Sequence, residues 1–311
     1  MIGDLFTAGV IIGILTSGIR LATPYLYAAL GETFGQLSGV LNLGVDGMML
    51  MGAYAGFYVV FNTGSPWLGL LAAILVGGLM GLAMAFISVT LKAEQGISGI
   101  GVYLFGLGMS DLLFQVTLGT VETVQGFQPL SIPLLSNIPV LGEIFFRQNI
   151  MVYGAYLLVP ISWFILNKTT WGLKIMAVGQ NPAAADALGV NVSVVRYATV
   201  TIGGVLAGIA GASLSIALLN VFQQNLTSGM GFIAVALVYF GGWTPIGVLL
   251  GSLLFSLVNA LQLWVQVKGI PIPSDFATMM PYVLTILALV FAVRKVNQPA
   301  ALTKLFDRGE G

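Results

Sequence analysis

Inside the long apolar runs of this 311-residue chain, two carboxylates, Asp46 and Asp111, stand where a side chain could exchange a proton or hold a cation away from water. Ionisable groups are costly at that depth, and where they occur they mark ion paths or proton relays. Asp111, in Gly108-Met-Ser-Asp-Leu-Leu, reads equally as a hydrogen bonder between packed helices. The other polar groups able to meet a solute are amides: Asn42 near Asp46, and Asn220, Gln223, Gln224 and Asn225 in the middle of a charge-free stretch. Amides both donate and accept, which suits an uncharged, hydroxyl-bearing solute, although each also serves as a helix cap or loop residue. The chain has no cysteine and no histidine, which excludes disulfides, thiolate chemistry and imidazole relays, and zinc or haem ligation through those side chains. No paired nucleophile and base points to an enzyme, no ring-forming charge motif points to a channel, and no cluster points to a metal.

The elements that must position these groups are set by composition. Charged residues are 7% of the chain and hydrophobic residues 58%, far from the ~25% charge of an ordinary globular protein. Residues 47–91 and 197–267 contain no Asp, Glu, Lys or Arg, and one helical crossing needs only about 20 apolar residues, so each run crosses more than once. The apolar runs are continuous and do not alternate, which disfavours a β-barrel. The expectation is an all-α polytopic membrane protein of about nine to ten transmembrane helices, forming a single domain over residues 1–311. Spans are expected at Leu5 to Leu30, Val45 to Phe61, Trp67 to Leu91, Ile97 to Leu118, Ile150 to Leu166, Tyr197 to Leu218, Gly231 to Phe240, Pro245 to Val267 and Phe276 to Val293. The first block carries Arg20 and Pro24 and has room for a short tenth crossing. The N-terminus lacks a basic n-region and a small-residue cleavage site, and reads as mature protein.

Lys168, Lys174 and Arg196 flank one loop, and Arg294, Lys295, Lys304 and Arg308 lie in the tail. The positive-inside rule makes both cytoplasmic, giving a multi-pass protein of the cell membrane with an internal C-terminus, a cytoplasmic loop 168–196 and a cytoplasmic tail 294–311. Residues 119–149, with Glu122, Glu143, Arg147, Pro129, Pro133 and Pro139, are the long external loop, read as a lid or a docking surface. Six glycines between Gly31 and Gly52 oppose a continuous helix and predict a broken one near residues 31–46. Pro66-Trp-Leu-Gly-Leu-Leu and Pro245-Ile-Gly-Val-Leu-Leu each follow a Gly-rich apolar stretch and run in opposite directions in this alternation, the pattern of inverted repeats. In the loop 168–196, Asn181 is an N-cap, Pro182 suits the first helical position and Gly189 suits a left-handed stop, so a helix of about two turns is encoded from Pro182 to Leu188. So short a helix needs a surface to lie on, either its own membrane domain or a partner.

Gly39-Val-Leu-Asn-Leu-Gly-Val-Asp-Gly-Met-Met-Leu-Met-Gly-Ala, with Ala177-Val-Gly-Gln-Asn-Pro-Ala-Ala-Ala and Gly189-Val-Asn, resembles the permease subunits of ABC importers in the branched-chain amino acid and ribose group. Within that group it is most similar to the nucleoside and simple-sugar permeases, over about Arg20 to Arg294. The resemblance implies a membrane subunit that is not itself an enzyme. Its partners would be a second permease (the same chain or another), cytoplasmic ATPase subunits that carry ATP and Mg, an external substrate-binding lipoprotein and lipid, with no nucleic acid. It also implies that Pro182 to Leu188 is the coupling helix on the ATPase, with Gly179, Asn181, Pro182, Ala185, Asp186, Gly189 and Asn191 as the coupling residues; the residues expected along the path from their own chemistry are Asn42, Asp46, Asn220, Gln223 and Gln224. The absence of a Gly-x-x-x-x-Gly-Lys-Ser/Thr phosphate cradle agrees with a chain that needs no cofactor of its own. Gln36-Leu37 and Asp46 depart from the family's usual Glu-Arg and Glu, which leaves the roles of that loop's charges open. Nucleosides are the expected cargo, with monosaccharides or branched-chain amino acids as alternatives in the same class. A proton-coupled secondary carrier using Asp46 and Asp111 is the alternative of a different class.

Overall fold

The computed structural model describes residues 7–133, 135–267 and 298–307, together with 279, 280, 282, 283, 286 and 287. Most of the span expected over Phe276 to Val293 lies outside these residues, as do Arg294, Lys295 and Arg308. Eleven helices follow in order among the described residues: α1 (Ala8–Leu37), α2 (Val45–Thr63), α3 (Pro66–Ala85), α4 (Gln95–Thr117), α5 (Leu141–Phe145), α6 (Ile150–Lys168), α7 (Thr170–Gln180), α8 (Pro182–Ala187), α9 (Val192–Ser213), α10 (Met230–Phe240) and α11 (Pro245–Val267). A short antiparallel pair, β1 (Pro129–Ser131) and β2 (Arg147–Asn149), frames α5.

Local sequence fixes many of these starts. Asn149, Thr169, Asn181 and Asn191 each accept a backbone N–H of the helix they open, and Pro66 and Pro182 occupy first-turn positions that need no donor. Glu94 caps α4 by accepting from Gly96 N (3.0 Å) and Ile97 N (2.5 Å), and these bonds hold its carboxyl below the ordinary range.

Six helices among the described residues are long and apolar enough to cross a membrane: α1, α3, α4, α6, α9 and α11. The ninth expected span lies mostly outside the described residues, and the other expected crossings that are not among these six are missing for three physical reasons. The long first block is one helix that continues through Pro24, leaving no extra crossing. α2 is glycine-rich and mostly enclosed by protein, so it needs less hydropathy than a lipid-facing helix. α10 has 11 residues and rises only about 16 Å, half of a ~30 Å hydrocarbon core.

The expected break near residues 31–46 is narrower than its glycines suggested. α1 remains helical to Leu37, and the irregular backbone is confined to residues 38–44. A second irregular stretch, residues 219–229, precedes α10. α9 packs along α1, α2 and α3, while α1 packs along α9, α10 and α11; α2 meets α10. Exchanging α1–α2–α3 for α9–α10–α11 therefore maps the pairings α2 with α9, α3 with α9 and α2 with α3 onto α10 with α1, α11 with α1 and α10 with α11.

Glycine sets the spacing of this core. A Cβ on Gly204 would stand 2.6 Å from Gly81 Cα, and one on Gly77 would stand 2.8 Å from Gly208 Cα, so α3 and α9 touch backbone to backbone. In lipid, where the hydrophobic effect does not drive helices together, such close packing supplies the attraction. π-helical turns extend α3 (Phe86–Thr90) and α9 (Leu214–Leu218). In the second of these, Ile216 O accepts from Phe127 N (2.8 Å) and Ala217 O from Asn149 Nδ2 (2.9 Å), which pins the segment 119–149 over one end of the bundle. Arg20 secures the same segment through Gln148 Oε1 (2.8 Å) and Arg147 O (3.2 Å).

Gly204→Val should abolish recovery of monodisperse protein from membranes. Gly101→Ala and Gly108→Ala, where an added Cβ meets nothing within 4 Å, should leave yield and melting temperature unchanged. Size-exclusion profiles and thermal melts of the three variants check this.

Candidate functional site

Residues 168–196 form two helices rather than the single short one expected. Thr169 Oγ1 accepts from Gly172 N (3.2 Å) and starts α7, whose Ile175 and Val178 face the protein. The signal for α7 was a Thr cap followed by apolar residues at helical spacing, masked by the surrounding polar residues. α8 follows as the sequence dictates: Asn181 Oδ1 accepts from Ala184 N (3.0 Å), and Pro182 fills the first helical position. At its other end, Gly189 N donates to Asp186 O (2.9 Å) and Val190 N to Ala185 O (3.0 Å), with Gly189 at φ +85°. Asn191 Oδ1 then accepts from Val194 N (3.1 Å) and opens α9.

The surface under α8 belongs to this chain. Ala185 is buried with Phe34, Leu166, Ile175, Val178, Val192 and Val195, so α1, α6, α7, α8 and α9 share one apolar cluster. Gly179 fits because its Cα faces Leu37 O too closely for a side chain. The outer side of α8 is open: Leu188 is 86% exposed. Asp186 and Gly189 line a cleft of about 480 Å³ with Lys92, Asn191, Phe306 and Asp307.

Deeper in the bundle, the two irregular stretches converge. Asp46 lies in the first turn of α2, fully buried, and its Oδ1 accepts from Gly231 N (2.8 Å) in the first turn of α10. The Thr227 hydroxyl and Gly229 N–H lie beside the same carboxyl group. A Cβ on Gly231 would sit 2.6 Å from Asp46 Cβ, so the N-termini of α2 and α10 abut. Both termini direct positive dipole ends at the one carboxyl group, whose Oδ2 is buried without a hydrogen-bond partner among the described residues.

Asn42, expected on a path, has its groups engaged locally. Its Oδ1 accepts from Gly44 N (2.9 Å), its Nδ2 donates to Met48 Sδ (3.6 Å), and its N–H donates to Glu32 Oε1 (3.0 Å). Glu32 was missed among the intramembrane acids and is more deeply buried than Asp111, at 2% exposure. It also accepts from Gln36 Nε2 (3.0 Å), and Gln36 Oε1 in turn accepts from Trp243 Nε1 (2.8 Å). The Glu32–Gln36 spacing of four on one helix was its available signal. Asp111 is half-buried on α4, with one oxygen enclosed and unpaired.

Asn220, Gln223, Gln224 and Asn225 all lie on the stretch joining α9 to α10, apart from the Asn42 network. Asn220 O accepts from Val124 N (3.0 Å), and its side-chain oxygen is buried without a partner. Gln223, Gln224 and Asn225 are exposed. Arg196, read as a loop charge, is instead buried and donates from Nε to Ser38 O (3.2 Å) across to the first break.

Residues 14–289 match the family described as branched-chain amino acid transport system / permease component. The chain is 39% identical to a putative glucose ABC transporter permease protein of Haloferax volcanii, covering 95% of this chain and 98% of that one. It is 38% identical to the nucleoside ABC transporter permease protein NupC of Lactococcus lactis and 37% identical to the guanosine ABC transporter permease protein NupQ of Bacillus subtilis, in both cases over 90% of this chain and 92% of the relative. No solved structure matches.

Asn181→Ala removes the α8 cap and should cost ~1 kcal/mol locally, raising amide hydrogen exchange across residues 182–188 about five-fold while the exchange of α9 stays unchanged. Hydrogen-exchange mass spectrometry on the purified chain checks this.

Proposed function

The chain belongs to the branched-chain amino acid transport system permease family, and from that premise we propose that it is the membrane-spanning permease subunit of an ATP-driven importer of nucleosides. ABC permease components such as its relatives carry solutes and are not enzymes; ATP and Mg are bound by a separate cytoplasmic ATPase. The observation that carries the coupling role is α8, a helix capped at both ends, seated on the chain's own apolar cluster through Ala185 and exposing Leu188 outward. That arrangement suits transmission, because a push on α8 is borne by α1, α6, α7 and α9 together. In this reading residues 168–196 and 294–311 are cytoplasmic, 119–149 faces the substrate-binding lipoprotein, and a second permease completes the transporter.

The exchange symmetry of α1–α2–α3 with α9–α10–α11, together with the half-length α10, supports inverted repeats that rock about the Asp46–Gly231 contact. Movement between outward and inward openings follows ATP binding and release, with α8 as the lever. Asp46 serves structure here, since its carboxylate is engaged by the start of α10, which argues against the proton-coupled carrier. Asn220, Gln223 and Gln224 are the amides available to a solute at the opposite end from α8.

Relatives named for nucleosides and guanosine support a nucleoside cargo, while the relative named for glucose favours a monosaccharide as the second reading. Both cargoes are uncharged and rich in hydroxyls.

Vesicles carrying the assembled transporter should take up labelled guanosine in proportion to ATP supplied, and collapsing the proton gradient at constant ATP should change nothing. Competition by unlabelled nucleosides with glucose and leucine inert is the expected result; competition by glucose alone moves the assignment to the sugar. Asp46→Asn should reduce transport mainly by lowering the amount of folded protein, because weakening a buried hydrogen-bonded charge costs on the order of 1–3 kcal/mol.

A further inference from the structure

Residues 299–307 lie beyond the segment that matches the family, and nothing in their composition marks them out. They nevertheless touch the end of α7, the first break and the apolar cluster that holds Ala185 of α8. Ala301 N donates to Gly179 O (2.8 Å), satisfying a last-turn carbonyl of α7 that has no partner within its helix. Thr303 N donates to Gly39 O (3.1 Å) in the first break. Gly39 has φ +92°, and a Cβ there would sit 3.0 Å from Ala301 O and 3.0 Å from Arg196 Nη2, so only glycine lets the chain segments meet. Leu302 is buried in the main bundle core, whereas Phe306 packs on the separate cluster that holds Ala185 of α8. Asp307 closes the run with an ion pair to Lys92, in the turn between α3 and α4.

We propose that residues 299–307 are a strap that positions α8 and transmits its displacement to the break at residues 38–44, with Leu302 anchored in the bundle and Phe306 bearing on the α8 cluster. The strap is held by backbone bonds to two carbonyls and by two side chains in two different cores. Displacing the α8 cluster therefore pulls on Gly39, the point where α1 gives way to α2. The surface pair Lys92–Asp307 is solvent-screened and adds little to the hold. The assignment rests on the permease reading, and the wild-type assembly is the control that separates the two.

The test compares three assembled transporters in vesicles: wild type, Phe306→Ala, and a chain ending before Pro299. For each, labelled uptake and ATP hydrolysis are measured with and without loaded binding protein. In Phe306→Ala and in the shortened chain, uptake per ATP hydrolysed should fall about five-fold or more, with basal hydrolysis unchanged. Phe306→Leu, which keeps an apolar side chain on the cluster, should restore most of the loss; a general defect in folding would lower uptake and hydrolysis together and leave their ratio unchanged. Unchanged uptake per ATP in Phe306→Ala overturns the strap, whether or not the shortened chain inserts. Wild-type uptake that does not follow ATP overturns the permease reading itself.

Discussion

In hydrocarbon no water is present to bond a free backbone group, and this requirement governs how the chain can stop being helical inside its own bundle. At residues 38–44 the helix is interrupted, yet the N–H groups of Ser38, Gly39, Val40, Leu41, Asn42 and Gly44 all find acceptors. Several of those acceptors come from distant sequence: Gln95 Oε1 takes Leu41 N (2.8 Å) and Glu32 Oε1 takes Asn42 N (3.0 Å). On the carbonyl side, Arg196 and Thr303 supply donors to Ser38 and Gly39. The break is thus a junction assembled from α1, α4, α9 and the C-terminal segment, and moving any one of them alters the others.

The second interruption obeys the same rule with a different device. Residues 219–229 carry Asn220, Asn225, Ser228 and Gly229 at positive φ, a concentration of left-handed residues that lets the backbone double back on itself. Asp46 then receives the start of α10, joining the two interruptions through one carboxylate. Beyond this junction α10 descends to Trp243, a bulky residue also at positive φ, held by Gln36 Oε1. Strain of this kind persists only where the surroundings over-determine it. The polar links at Asp46 and Gln36 therefore tie the start of α10 to α2 and the turn beyond its end to α1, within a frame set by glycine contacts between α3 and α9.

The function follows from which parts are stiff and which are jointed. α8 is a stiff tab fixed to a cluster shared by four other helices, so it is suited to receive a force. The two interruptions are joints, so they are suited to yield. The polar network of Glu32, Gln36 and Asn42 links the first joint, through α1, to Trp243 beyond α10, and its acceptors are met by N–H donors.

The sequence by itself determined the medium, the helical class, the short helix at Pro182 with both of its caps, and the existence of an interruption after α1. Each of these depends on local chemistry: hydropathy over ~20 residues, an Asn and a Pro at adjacent positions, a glycine at a left-handed stop. The tertiary structure alone decided the rest. Arg196 reads as a loop charge until Ser38 is seen opposite it, and the bonds that join Asn42 to Gly44 and Glu32 are not legible along the chain. Glu32 does not stand out until burial separates it from solvent. The number of crossings could not be counted from hydropathy because α2 is mostly enclosed by protein, and α10 is only 11 residues long and begins on a carboxylate 185 residues away in sequence. Contacts of that separation leave no periodicity for a sequence to display, since each partner satisfies only its own local pattern.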